Sequence, residues 1–372
     1  MSESKSLKIL LVSSGFYPEI SPRSYRATEL AKELVRQGHF VAVITRYRDH
    51  DYSDFLKEYD IELKMWGKAK FPTIPAFRIK PFSILSRGLS RIMMVLFEYP
   101  AIEEMFRVKK VLSGESGYDL MISFAVPYPI QWGVAWSRPD KHPVADKWIA
   151  DCGDPYMGDV LDSFRKPFYF KYLEKGFCRR ANFITIPIES AKPAYYAEFH
   201  DKIRIIPQGF DFDLTERENN QPENKVTTFA YAGGFLPGAR DPRPLLDYLL
   251  NLDLPFKFMV YTNKPDMISS YKDKLRGKLE ISDYIPREEL LKVLATMDFL
   301  VNFDNNTTLN SPSKLIDYTI VNRPVLNIER NFNSSRLLEF LNGDYRNRMQ
   351  LPDAEQYHIK NVTQLFLELL KS

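Results

Sequence analysis

At 372 residues the chain is too long for one ordinary core, and two domains of the usual ~150 residues are expected. Hydrophobic side chains at 44% and charged ones at 27% describe a folded soluble protein, and a formal net charge of +3 argues against a dedicated nucleic-acid binder. Cys152 and Cys178, the only cysteines, lack CxxC spacing, so neither a zinc site nor a disulfide framework is expected and a reducing cytoplasm is the natural home.

The first apolar run, Leu7–Ser13 (LKILLVS), is too short for a secretory signal and reads as a central parallel strand covered on both faces. The loop SGFYPEISPRS follows, and its Gly15 would let a ligand approach the backbone closely. A helix is expected from about Ser24 to Gln37, with Ala27, Leu30, Ala31, Leu34 and Val35 on one stripe and Gly38 as its stop. Phe40–Thr45 (FVAVIT) is the next strand. This unit opens a doubly wound sheet, in which ligands bind at the carboxyl ends of strands.

Between Lys64 and Lys110 the pattern breaks: ten Lys/Arg stand against three Asp/Glu among Phe, Ile, Leu and Met. No segment reaches the ~18 uninterrupted apolar residues of a membrane span. The stretch fits a surface lying on an anionic bilayer, where each basic residue contributes about 1 kcal/mol. It fits equally a helical insertion that covers its own domain's core.

Alternation resumes with strand Tyr118–Phe124, a helix about Gln131–Trp136 and strand Lys147–Ala150, which runs into Asp151-Cys152-Gly153-Asp154-Pro155. Asp151 and Asp154 stand where catalytic groups of parallel sheets sit, and turn or cap duty is their structural alternative. Helix Phe168–Arg179, strand Phe183–Ile186, helix Ser190–Phe199 and strand Ile203–Ile206 complete the first series. Leu214–Lys225 (LTERENNQPENK) reads as the linker.

The second series begins with strand Thr228–Ala232 and the loop Gly233-Gly234-Phe235-Leu236-Pro237-Gly238-Ala239-Arg240. A helix about Pro242–Asn251, strands Phe256–Tyr261 and Leu279–Ser282, helix Arg287–Thr296 and strand Asp298–Phe303 follow. A helix is then expected to open at Pro312 or Ser313, after the polar loop Asp304–Ser311. Its start would offer backbone N–H groups to a phosphate, Lys314 adds a full charge, and Asp317 one turn on could bond a ribose diol. Asn322-Arg323-Pro324 stops it before strand Val325–Ile328. The last helix, about Ile359–Leu370, carries Val362, Leu365, Phe366 and Leu369 on one face. The expected domains are 1–213 and 226–352, with a terminal helix segment, 353–372, packing back on the first. The five histidines show no ligand spacing, so no metal is expected.

Several segments together resemble the GT-B glycosyltransferases, and specifically the retaining group called glycosyltransferase family four. KILLVSSGFYP, then RATELAKELVRQGHFVAVIT opened by Arg26, looks like that family's first strand, glycine loop, helix and "GHxVxVIT" strand. IRIIPQGFD, AGGFLPGARDPRPLL, ISDYIPREELLKVLATMDFLVNF and SPSKLIDYTIVNRPVL resemble its later segments in order and spacing. The resemblance covers nearly the whole chain outside 64–110 and implies an α/β GT-B fold, two Rossmann-like doubly wound domains facing across a cleft.

The same resemblance implies residue roles. Gly233, Gly234 and Arg240 would face a donor diphosphate, Ser313 and Lys314 would bind phosphate, and Tyr284 and Ile285 would border the base through their backbone. Asp317 would take the ribose contact of the second Glu in the family's E-x7-E pair. The first Glu falls at Leu309, which leaves Asn305, Asn306 and Asn310 as candidates for the sugar side. Gly15 and Arg26 would lie on the acceptor side, with Asp151 and Asp154 where many relatives carry a His. Ser21-Pro22 replaces a glycine pair, and Asn322 replaces a turn glycine.

The implied activity is transfer of a sugar from a nucleotide diphosphate sugar to a saccharide or lipid-linked acceptor, with retention and without metal or other cofactor. The expected setting is cell-surface polysaccharide or lipopolysaccharide assembly by a cytoplasmic protein at the inner membrane face, with 64–110 touching anionic lipid and no nucleic-acid partner. A nucleotide-sugar 2-epimerase on the same fold would form product from donor alone. A non-catalytic nucleotide-binding scaffold, suggested by Leu309 and the missing His, would bind without turnover.

Overall fold

The computed structural model describes residues 6–75, 82–137, 143–159, 164–212, 223–238, 240–304 and 314–371. The chain divides into two compact units, Met1–Asp211 with Tyr357–Ser372, and Phe212–Gln356.

The first unit runs β1 (Lys8–Ser13), α1 (Pro22–Arg36), β2 (Phe40–Thr45), α2 (Ser53–Glu58), β3 (Ile61–Met65), α3 (Phe82–Phe97), α4 (Glu103–Leu112), β4 (Tyr118–Ala125), α5 (Pro129–Ser137), β5 (Ala145–Cys152), α6 (Phe170–Arg180), β6 (Phe183–Ile186) and β7 (Ile203–Ile205). Its seven strands lie in the order β3-β2-β1-β4-β5-β6-β7, all parallel. Strand side chains alternate between faces, so the continuous apolar runs feed two cores. Ile9, Leu11, Val41, Val43, Leu120 and Ile149 pack under α1. Leu10, Val12, Ala42, Ile44, Met121 and Trp148 pack on the other side, under α4, α5 and α6.

Residues 64–110 do not behave as one piece. Lys64 lies inside edge strand β3, which sequence reading missed because IELKM is short and half polar. α4 buries Val108 and Leu112 in the core. Helix α3 buries only Ser86 among its side chains, leaving Phe82, Leu85, Ile92 and Phe97 exposed. In place of the expected helix Ser190–Phe199, two 3-10 turns span Glu189–Ala194 and Ala197–Lys202, with Pro193 inside the first. Proline removes the donor that a continuous α-helix needs there.

The second unit runs β8 (Thr227–Ala232), α7 (Arg243–Leu250), β9 (Phe256–Tyr261), α8 (Ser269–Lys272), β10 (Leu279–Ser282), α9 (Arg287–Ala295), β11 (Phe299–Phe303), α10 (Lys314–Val321), β12 (Val325–Ile328) and α11 (Ser334–Leu341). Its five parallel strands lie in the order β10-β9-β8-β11-β12. Phe229 of β8 sits in register with Phe258 and Phe299 of its neighbours, and their rings stack at 4.6 Å on both sides. Such cross-strand aromatic pairs fix register as well as burying area.

The final helix, α12 (Ile359–Lys371), belongs to the first unit: Val362, Phe366 and Leu369 join the α1 core, while Phe210 and His358 form a parallel bridge. Most of the expected linker, residues 214–222, lies outside the described residues.

Candidate functional site

In the second unit the strand order reverses between β8 and β11, so the loops leaving those two strands flank the crevice where doubly wound sheets bind ligands. The chain leaves β8 through Gly233, which has φ +149. A Cβ there would lie 3.0 Å from Tyr231 Oη and 3.6 Å from Lys314 Cδ, so a side chain would be strained by its backbone conformation and tight against the tyrosine hydroxyl. The Gly233 N–H donates to Tyr261 O at 2.9 Å, and Tyr231 Oη donates to Gly234 O at 2.9 Å, which ties the turn down.

Lys314 opens the described part of α10. One turn on, Tyr318 Oη donates to Val301 O (3.0 Å) and accepts from the Ala232 N–H (3.1 Å), fastening α10 to the ends of β11 and β8. The Lys314 ammonium therefore lies beneath the loop, 4.4 Å from the Tyr231 ring centroid and 3.4 Å from its hydroxyl. Lys314 is 8% exposed. Burial and the neighbouring Arg240 guanidinium push its pKa down to about 7, against a smaller opposing effect of Asp304. Arg240 has a buried Nε with no hydrogen-bond partner. Neither cation makes an ion pair among the described residues. Two partly desolvated positive groups beside half-buried glycine backbone are complementary to a diphosphate.

Asp317 meets Arg287 of α9, whose Nε donates to Oδ1 at 2.8 Å. Burial raises the Asp317 pKa and Arg287 opposes the rise. The structure thus commits to an arginine part of the carboxylate expected at a ribose. Tyr284 is exposed and its N–H donates to Asp283 Oδ1 (2.8 Å), while Ile285 is half-buried. Asn310 and Ser313, together with Asn305, Asn306 and Leu309, lie outside the described residues.

In the first unit, Arg26 and Asp151 come together, but they serve each other. Nε and Nη2 of Arg26 donate to the two Asp151 oxygens at 2.6 Å each, and Thr185 Oγ1 adds a third donor at 2.6 Å. Arg26 also donates to Pro207 O and Ile206 O, at 2.6 and 2.9 Å, and lies 5.5 Å from the Phe366 ring. With side chains 4% and 1% exposed, Arg26 and Asp151, expected on the acceptor side and as a catalytic acid, are paired with each other inside the unit. The physical reason is that β5 continues two residues past Ala150, carrying Asp151 into the sheet interior.

Asp154 does reach solvent, at 52% side-chain exposure, and pairs with Arg23 at 3.1 Å. Arg23 lies directly over Gly153: a Cβ there would fall 1.5 Å from its Nη2. Sequence reading missed Arg23, although a glycine between two acids was the signal for a close neighbour. Gly15 lies under the start of α1, with space for a Cβ only 3.2 Å from the Ser24 nitrogen. Ser21 caps that helix, accepting from the Ser24 N–H at 3.2 Å. Among the described residues no group of His, Cys, Asp and Glu is placed to hold a metal ion, and no helix is long and apolar enough to cross a membrane.

No family model matches the chain. A curated relative, an alpha-monoglucosyldiacylglycerol synthase of Streptococcus pneumoniae, is 21% identical over 220 residues, 59% of this chain and 44% of that protein, so the match spans less than half of the relative's length. Among solved structures, a glycosyltransferase from Rickettsia africae superposes with TM-score 0.62 at 13% identity, covering 99% of this chain and 98% of that one. A TarM variant from S. aureus, in complex with fondaparinux, alpha-GlcNAc-glycerol and UDP, gives TM-score 0.62 at 11% identity, covering 98% and 100%. With its two parallel sheets, the chain has the GT-B fold of these glycosyltransferases.

Proposed function

We propose that the protein is a glycosyltransferase that moves a sugar from a nucleotide diphosphate sugar to a saccharide or lipid-linked acceptor. The observation that carries this reading is the pair of cations beside the Gly233 loop, Lys314 buried and Arg240 half-buried with a buried Nε, neither in an ion pair among the described residues. In glycosyl transfer the transition state places positive charge on the sugar and growing negative charge on the leaving diphosphate. Preorganised cations at that diphosphate stabilise the transition state more than the ground state, which lowers the barrier without a metal. With the configuration retained, the leaving phosphate takes the acceptor proton, and Asp154 orients the acceptor hydroxyl while Arg23 holds the carboxylate in place.

The UDP bound by the TarM relative supports a uridine donor, and the name of the S. pneumoniae relative supports a lipid-linked acceptor. Placement in surface-polysaccharide or lipopolysaccharide assembly at the cytoplasmic membrane face, with residues 64–110 touching anionic lipid, belongs to the same proposal. The test is transfer of radiolabelled sugar from UDP, GDP, ADP and dTDP donors to lipid and saccharide acceptors, with product anomers read by NMR. Transfer that survives Lys314→Ala at full rate, or label that moves from no donor, sinks the reading. Product from donor alone points to the epimerase instead.

A further inference from the structure

Helix α3 does not form its exposed apolar surface alone. Its far end meets a segment about seventy residues later in the chain: Tyr169 Oη donates to Leu96 O, the Arg91 guanidinium lies 5.2 Å from the Phe164 ring, and Lys166 bonds Glu98. Phe168 and Tyr172 continue the surface, 71% and 62% exposed. Across residues 82–97 and 164–180 there are eight Lys/Arg and a single acid, Glu174, which is buried. Glu98 pairs with Lys166, and Glu198 pairs with Lys175 and Arg179. The face is therefore apolar and aromatic, with a net excess of positive charge.

Beside it a cavity of 390 Å³ opens between α4, α5 and α6, walled by Met105, Trp132, Trp136, Leu173 and Phe177, with Arg180 its one charged residue. That volume lies within the range of about 300–1,000 Å³ usual for small-ligand sites. Trp132 is 3% exposed, yet its indole N–H has no acceptor. Buried indole N–H groups ordinarily find one, and this nitrogen lies inside the wall rather than on the cavity surface. Lys109 sits over the Trp136 ring at 3.7 Å, placing a cation at the rim.

We propose that this cavity takes one aliphatic chain of an anionic lipid while the surrounding face lies on the bilayer. The apolar walls suit methylenes, and Arg180 with Lys109 at the rim suits the headgroup. The inference stands on the first unit alone and does not depend on the transferase reading.

The experiment uses the full chain with vesicles of phosphatidylcholine, alone or mixed with phosphatidylglycerol, with and without dibrominated acyl chains. Brominated chains quench tryptophan on contact; of the four tryptophans, Trp66 and Trp148 are buried away from the cavity wall. Flotation only with phosphatidylglycerol, together with quenching by its brominated chains, is the expected result. Arg91→Gln with Lys171→Gln should weaken flotation about 25-fold, at about fivefold per charge. Gly176 lines the cavity and a Cβ there meets nothing within 4 Å, so Gly176→Leu fills the space in a helix that tolerates it. This variant should still float yet lose most of the quenching, with a wild-type circular-dichroism spectrum and thermal melt serving as the check on its fold. Equal flotation with both vesicle types, or quenching unchanged in Gly176→Leu, overturns the proposal.

Discussion

Lys314→Met is the substitution that tests the donor site most directly, because function and stability should move in opposite directions. The lysine's pKa falls from 10.5 to about 7, chiefly through burial and then through Arg240. At about 1.4 kcal/mol per pKa unit, the folded state disfavours the charged form by roughly 5 kcal/mol. Methionine keeps the length and fills the same space without a charge. Allowing for local relaxation, the nucleotide-free variant is expected to gain about 2–4 kcal/mol at pH 6, which is about 5–10 °C for a unit of this size.

The pH dependence fixes the cause. A lysine whose folded pKa lies below its unfolded value binds fewer protons when folded, so wild-type stability rises with pH between about 7 and 10.5. The gap between variant and wild type should be full below pH 7 and shrink above it. A bound diphosphate holds the ammonium charged, so UDP binding takes up a proton and weakens by up to tenfold per pH unit above about 7. Chemical denaturation at pH 6 and 9, and calorimetric titration of UDP in buffers of different ionisation enthalpy, read both effects. A stability gap independent of pH, or a methionine variant less stable than wild type, refutes the account of Lys314 as a buried cation awaiting an anion.

Asp151→Asn should cost about 3–5 kcal/mol, because Arg26 is left buried without its counter-charge, whereas Asp154→Ala should change stability by less than about 0.5 kcal/mol and lower turnover; urea melts and transfer rates on both variants separate the two acids. Gly233→Val, forced to φ +149 against Tyr231, should weaken UDP binding about 5- to 150-fold by isothermal titration, through about 1–3 kcal/mol of backbone strain. Glu174 has its pKa raised by burial to about 7, so wild-type stability falls as pH rises from about 4.5 to 7. Glu174→Gln should therefore be about 2–3 kcal/mol more stable than wild type at pH 8 and equal to it at pH 4, which denaturation at the two pH values checks. Phe366→Ala should destabilise the first unit by about 3–5 kcal/mol in the same assay, since α12 closes the α1 core with that ring.

What the sequence disclosed follows a physical line. Elements whose identity rests on period and punctuation, such as the run Phe40–Thr45 or the apolar stripe before Gly38, could be read directly because local pattern and tertiary burial agree there. Strand β5 could not be read to its end, because Asp151 looks like a strand stop until Arg26, 125 residues earlier, neutralises it. The same distant pairing turned a candidate catalytic acid into part of the scaffold. Lys314 was legible as a cation near a strand end, but its depressed basicity was not, since that depends on burial in the fold, against Tyr231 of β8, and on Arg240 from the loop that follows β8. Composition marked residues 64–110 as unusual, yet it could not divide them into an edge strand, a core helix and an exposed one, nor show that residues 164–173 complete the same surface. Chemistry set by one segment can be read in order along the chain. Chemistry set by charges that meet across the fold becomes visible only when the fold brings them together, and in this protein the sites that matter most are of that second kind.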